Sequence, residues 1–164
     1  MHSYCLFCDT QRCGVIAELL ERCGVDRAFS PKLVGRERKQ GVLLEKRYDL
    51  LPGYVFLFSR QALPDLREYR WIDGLIRYVG RAEDQYELTG GDRSFADALF
   101  EQDGILRPLT LVREGESVSL RESVFAGARG EVIRVDLKRQ RAKVAFVFDG
   151  LPFSTWVAVD QLRL

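Results

Sequence analysis

Residues 49–59 constrain this chain more than any other segment. Alternation puts Tyr54, Phe56 and Phe58 on one face of a strand and Val55 and Leu57 on the other, so both faces are apolar. Such a strand is either central in a two-sided core or presents an aromatic face to a partner. Residues 50–59 are also one of the two longest runs without a charge, equalled by 150–159, and about half of the ~20 apolar residues that a membrane-spanning helix needs.

Around that strand the pattern is mixed. Residues 3–8 read as a short first strand, with Asp9-Thr10 as a helix cap. Over residues 11–23, Ile16, Leu19, Leu20 and Cys23 fall at helical spacing and Gly24 supplies the stop. Residues 27–34 look extended, and residues 35–47 read as a polar, basic connection. A second short helix is expected over residues 64–69, a strand over 75–79, and a third helix from a Thr89 cap to Glu101 with Phe95, Ala98 and Leu99 as its stripe. Beyond the linker at residues 102–110, short strands separated by Gly127, Gly130, Gly150 and Pro152 read as a small barrel. The expected organisation is α+β, with one unit at residues 1–101, a linker at 102–110 and a barrel at 111–164.

Charge is nearly balanced, with 25 Lys+Arg against 24 Asp+Glu in 164 residues, which excludes an indiscriminate polycation. The balance is uneven along the chain. Residues 27–47 hold Arg27, Lys32, Arg36, Arg38, Lys39, Lys46 and Arg47 against two acids, and residues 134–143 hold Arg134, Lys138, Arg139, Arg141 and Lys143 against Asp136 alone. Phosphate binding depends on such local density, because affinity comes from counterions displaced locally. In the second window, Ile133, Val135 and Leu137 are expected to point inward from one strand, and Ala142, Val144, Phe146 and Phe148 from the next. That leaves Arg134, Arg141 and Lys143 on the outer face, with Lys138 and Arg139 at the turn. Backbone recognition of an RNA helix suits that arrangement.

Catalysis finds little support. The single histidine, His2, sits at a terminus expected to fray, so nucleophile–histidine chemistry has no internal base. No phosphate-cradling glycine pattern appears, and no cofactor is implied. Cys5, Cys8, Cys13 and Cys23 invite a zinc reading, but Cys5 and Cys8 fall on opposite faces of a strand and Cys23 on an apolar helix stripe. They read as reduced structural thiols, with no metal site. The N-terminus lacks a basic region followed by an apolar core, so a soluble, cytoplasmic, non-enzymatic protein is expected.

Four motifs in order carry a resemblance to the NusG family of transcription elongation factors, covering nearly the whole chain. Tyr4-Cys5-Leu6-Phe7-Cys8 resembles its first strand, Leu51-Pro52-Gly53-Tyr54-Val55 its Phe-Pro-Gly-Tyr-Val segment, and Gly74-Leu75-Ile76-Arg77-Tyr78-Val79-Gly80 its closing strand. Phe125-Ala126-Gly127-Ala128-Arg129-Gly130-Glu131-Val132 resembles a KOW motif. Within the family, Leu88-Thr89-Gly90-Gly91-Asp92-Arg93-Ser94-Phe95-Ala96, the segment 135–144 and Phe148-Asp149-Gly150 are most similar to the LoaP group of antitermination paralogues. The resemblance implies an NGN-like domain, an antiparallel sheet packed with helices, followed by an SH3-like KOW β-barrel. It implies a monomer that docks on the clamp helices of RNA polymerase through Phe7, Leu51 and Tyr54, with Phe56 beside them. A structured nascent leader RNA would lie on Arg134, Lys138, Arg139, Arg141 and Lys143. A general NusG-like factor whose KOW domain recruits a protein partner is the alternative. Phe148-Asp149-Gly150 stands where housekeeping NusG commonly has Phe-Gly-Arg. The Val, Phe, Trp and Thr content of the C-terminal strands opposes a helical alternative, so a persistent barrel is expected.

Overall fold

Within residues 49–59 the strand begins only at Tyr54, after a turn at 50–53, and its burial organises the molecule. In the computed structural model, which describes residues 1–63, 65–80, 85–121 and 123–163, the chain runs β1 (His2–Cys8), α1 (Cys13–Arg22), β2 (Arg27–Phe29), β3 (Lys32–Lys39), β4 (Val42–Asp49) and β5 (Tyr54–Ser59). There follow a 3-10 turn (Leu66–Tyr69), β6 (Leu75–Tyr78), α2 (Gly90–Glu101), β7 (Ile105–Leu106), β8 (Leu109–Glu114) and β9 (Ser117–Arg121). A second 3-10 turn (Val124–Ala128) leads into β10 (Glu131–Asp136), β11 (Arg141–Phe148) and β12 (Leu151–Arg163). Every residue of β5 is buried. It sits inside the sheet β2-β5-β1-β6, paired antiparallel with β1 from His2↔Ser59 to Phe7↔Tyr54.

The two faces of β5 enter separate cores. Val55 and Leu57 pack with Tyr4, Leu6, Ile16 and Leu20, under α1. Tyr54, Phe56 and Phe58 join Phe95 and Leu99 of α2 together with Phe125, Phe146 and Phe148 from the C-terminal half. The aromatic face is therefore covered by the chain's own second half. Helix α1 buries Cys13, Ile16, Ala17 and Leu20, whereas Cys23, expected on the stripe, is exposed. The helix begins two residues later than expected and ends at Arg22, which leaves Cys23 beyond the packed turns. Asp9 instead builds the turn before it, its carboxylate accepting from the Gln11 amide at 2.9 Å. His2, expected to fray, is held in β1 opposite Ser59, its Nδ1 2.6 Å from Glu87 Oε1.

Residues 35–47 are not a connection but most of a hairpin. Strands β3 and β4 pair from Lys32↔Asp49 to Lys39↔Val42 around Gln40 and Gly41, whose φ values of 51° and 78° give the twist a two-residue hairpin turn needs. The expected linker is also structured. Ile105 and Leu106 pair parallel with Lys32 and Leu33, and Leu109 already opens β8. Pro64, expected at the start of a short helix, lies outside the described residues, and a 3-10 turn follows at Leu66–Tyr69. Thr89 precedes α2 in an extended conformation without a side-chain cap bond, and the helix buries Phe95, Ala96 and Leu99.

The second half forms the sheet β10-β11-β12-β8-β9, antiparallel except for β12 against β8, and its end strands β9 and β10 meet, so the sheet curls into a small barrel. Strand β11 alternates as expected, with Ala142, Val144, Phe146 and Phe148 buried. In β10 the register shifts between Val132 and Arg134. The bulge turns Ile133 outward, 52% exposed, and puts Val132 and Val135 against the core; Leu137, also expected inside, is 43% exposed where the strand has ended.

The halves share one core. The Phe95 ring lies 5.5 Å from that of Phe146, 5.8 Å from Phe148, 5.9 Å from Phe125 and 6.5 Å from Phe56. Helix α2 approaches the Val124–Ala128 turn so closely that a Cβ on Gly91 would meet the Gly127 carbonyl oxygen at 2.3 Å. Among the described residues, no helix is long and apolar enough to cross a membrane.

Phe95→Ala is expected to lower unfolding stability by about 3–5 kcal/mol in urea titrations, since it empties the centre of this cluster. Burial pushes the Cys8 thiol up to about 12 and raises that of Cys5 strongly. At pH 8 a disulfide-exchange reagent should therefore titrate Cys23 alone in the native protein and all four thiols once it is denatured. Because the folded Cys8 value is raised, its contribution to stability is intact below pH 9 and declines as pH rises from 9 toward 12.

Candidate functional site

Two surfaces are expected to carry function, and the fold treats them differently. The first is the aromatic face of β5. A tight turn delivers it: Gly53 has φ +91°, its carbonyl accepts from the Cys8 amide at 2.7 Å, and an added Cβ would lie 2.7 Å from Phe7 Cε1. No side chain fits between that turn and β1. The turn sets the Phe7 and Tyr54 rings 5.0 Å apart.

Leu51, Tyr54 and Phe56 are fully buried, and Phe7 is half-buried against the same cluster. The β11–β12 corner covers Tyr54 and, with Phe95 of α2, Phe56. Phe148 meets Tyr54 edge-on at 5.3 Å and Phe56 at 5.3 Å, and Phe153 meets Tyr54 at 6.0 Å. Polar groups close the rim. Arg77 Nη2 donates to Asp149 Oδ2 at 2.6 Å and to the Tyr54 hydroxyl at 3.3 Å, with its guanidinium 5.3 Å from the Phe7 ring. The Asp149 amide donates to both carboxylate oxygens of Asp92 at 3.2 Å. Burial, reinforced by the Asp149 charge, raises the Tyr54 hydroxyl above its usual range. Phe148 and Asp149 thus seal this face. Its pairing with Arg77 joins residues 72 positions apart, and no local pattern signals it.

The second surface is the basic hairpin β10–β11. Arg134, Lys138 and Arg139 are exposed, while Arg141 and Lys143 are half-buried on the outer side of β11. Arg134 stands opposite Lys143, and Lys143 opposite Trp156 of β12. The Arg141 guanidinium lies 4.2 Å from the Trp156 ring and that of Arg134 6.0 Å. Asp136 restrains the turn. It accepts from the Arg139 amide at 3.2 Å and guanidinium at 3.0 Å, with the Arg141 charge at 3.6 Å; the Arg139 bonds chiefly hold its carboxyl below the usual range. Trp156 joins this site without any local signal; its place on β12 beside the basic strand depends on the barrel's pairing order.

The first basic window is largely occupied within the molecule. Arg36, its side chain 9% exposed, donates to the Val159 carbonyl at 2.9 Å, Gln140 Oε1 at 3.2 Å and Asp160 at 3.2 Å. Arg38 donates to the Lys138 carbonyl at 3.3 Å. Lys46 pairs with Glu37 at 2.8 Å, and Lys32 with Asp49. These bonds fasten the β3–β4 hairpin and tie it to the barrel.

No protein family pattern matches the chain, and no curated protein matches it in sequence. Among solved structures it is similar to NusG of Thermotoga maritima, in a structure reported for domain interaction in that protein. The TM-score is 0.55 at 16% sequence identity, covering 96% of this chain and 93% of that one. An identity this low carries the likeness of fold, and over nearly its whole length this chain has the fold of Thermotoga maritima NusG.

Proposed function

We propose that the protein is a non-catalytic transcription elongation and antitermination factor of the NusG kind, most similar to the LoaP group. It binds RNA polymerase through Phe7, Leu51, Tyr54 and Phe56, and a structured nascent leader RNA through Arg134, Lys138, Arg139, Arg141 and Lys143. The observation that carries this reading is the aromatic face of β5. It is built on a central strand of the first half and covered by α2 and the chain's own barrel, with an ion pair at the rim. Polymerase binding through that face requires the barrel to lift, so apparent affinity scales with the open fraction. The alternative, a general NusG-like factor whose barrel recruits a protein, is favoured by no particular feature, whereas Trp156 and the cations around it suit nucleic acid.

Asp149→Arg sets two cations against each other at the rim and is expected to raise binding to purified RNA polymerase in pull-downs, with Arg77→Glu in the same chain restoring the wild-type level. In the Asp149→Arg background, Phe7→Asp should abolish polymerase binding while leaving RNA binding unchanged. Replacing Arg139, Arg141 and Lys143 with Ala should reduce the slope of log affinity against log salt by about one for each phosphate no longer neutralised, measured on a stem-loop RNA. Transcription across an intrinsic terminator, with and without a leader in the template, tests the whole reading. Leader-dependent read-through is expected, and read-through indifferent to the leader would sink the LoaP-type assignment.

A further inference from the structure

Between the β3–β4 hairpin and the barrel lies a cleft of about 330 Å³, lined by Gly35, Tyr48, Arg141, Thr155 and Trp156 among others. It meets a second depression of about 530 Å³ along the basic hairpin, lined by Arg134, Lys138 and Arg139. Arg141 and Trp156 line both, so the two form one groove running from Tyr48 to the hairpin turn. One wall of the cleft is preset. Tyr48 is 42% exposed, and its hydroxyl donates to Glu37 Oε2 at 2.9 Å. Its ring also lies against Gly35 so closely that a Cβ there would be 2.6 Å from Tyr48 Cε2. On the opposite wall, Trp156 backs the Arg141 guanidinium at 4.2 Å.

We infer that this groove takes a single-stranded RNA segment. One unpaired base enters the cleft between the Tyr48 ring and the Arg141–Trp156 pair, and the flanking phosphates lie along Arg134, Lys138 and Arg139. The chemistry is that of stacking platforms joined to a cationic track, in which an aromatic ring or a guanidinium plane supplies the face and nearby cations neutralise the backbone. A flat face at both walls selects a base over a bare anion, and the cations beyond the cleft select a polymer over a free base. The inference rests on the RNA half of the proposed function and adds a second element, the β3–β4 hairpin, which contributes Tyr48.

The test uses a fluorescein-labelled, mixed-sequence RNA of about 12 nucleotides, within the range of sites that single-strand grooves cover. Anisotropy is followed in the full-length protein and its variants, and Trp156 emission in a Trp71→Phe background. Tyr48→Ala should weaken binding about tenfold, while Tyr48→Phe, which keeps the ring and loses the bond to Glu37, should bind as wild type. RNA should quench Trp156 emission, a readout that holds even if Tyr48→Ala unfolds. If Tyr48→Ala binds as wild type, or emission stays unchanged at saturating RNA, while Lys138→Ala/Arg139→Ala loses affinity, the cleft is overturned and the hairpin alone holds RNA. If the wild-type protein binds neither this RNA nor a stem-loop, the RNA half of the proposed function falls with it.

Discussion

A strand that is apolar on both sides must be covered on both sides, because each exposed aromatic leaves apolar surface in water at about 25 cal/mol per Å². That constraint, set by Tyr54, Val55, Phe56, Leu57 and Phe58, explains the architecture. Helix α1 satisfies one face. Helix α2 covers part of the other with Phe95 and Leu99, and the barrel supplies Phe146, Phe148 and Phe153 to complete it. The same physics therefore builds the fold and hides the aromatic face of β5.

The closure is specific as well as apolar. Gly91 and Gly127 let the α2 N-terminus and the barrel's 3-10 turn approach to a distance no Cβ would allow. Arg77 then finds Asp149 at the rim, and Asp92 accepts the Asp149 amide. An interface made of aromatic rings can slide, since dispersion and burial have little directional preference. The ion pair and the amide–carboxylate bonds fix its register. Their removal would leave the aromatic packing in place but less well located.

Electrostatics divides the cations between structure and surface. Arg36 and Arg38 face carbonyls and carboxylates of the barrel and hold the β3–β4 hairpin against it. The β10–β11 hairpin keeps most of its charge at the surface, with Asp136 ordering the turn and Trp156 backing Arg141. A near-neutral total conceals this division, in which Arg36 and Arg38 are tied to the second half while Arg134, Lys138 and Arg139 stay exposed.

Much of this is legible in the sequence wherever a signal is local. The strand at Tyr54–Ser59, though not its expected start at Asp49, the alternation of β11, the two helices and the β-rich second half all follow from periodicity, because one face of each element must be buried. Residues 35–47 of the hairpin read as a connection although Gln40-Gly41 is a serviceable turn, since β4 buries too little apolar surface to show alternation. The bulge that turns Ile133 outward is hidden because a single extra residue in a strand leaves no periodic trace. Which aromatic face is covered, which arginine is spent on a carbonyl and where Trp156 stands relative to Arg141 were decided by tertiary structure alone. Each depends on a meeting of residues far apart in the chain, and such meetings are chosen by the packing of whole surfaces rather than by any local pattern.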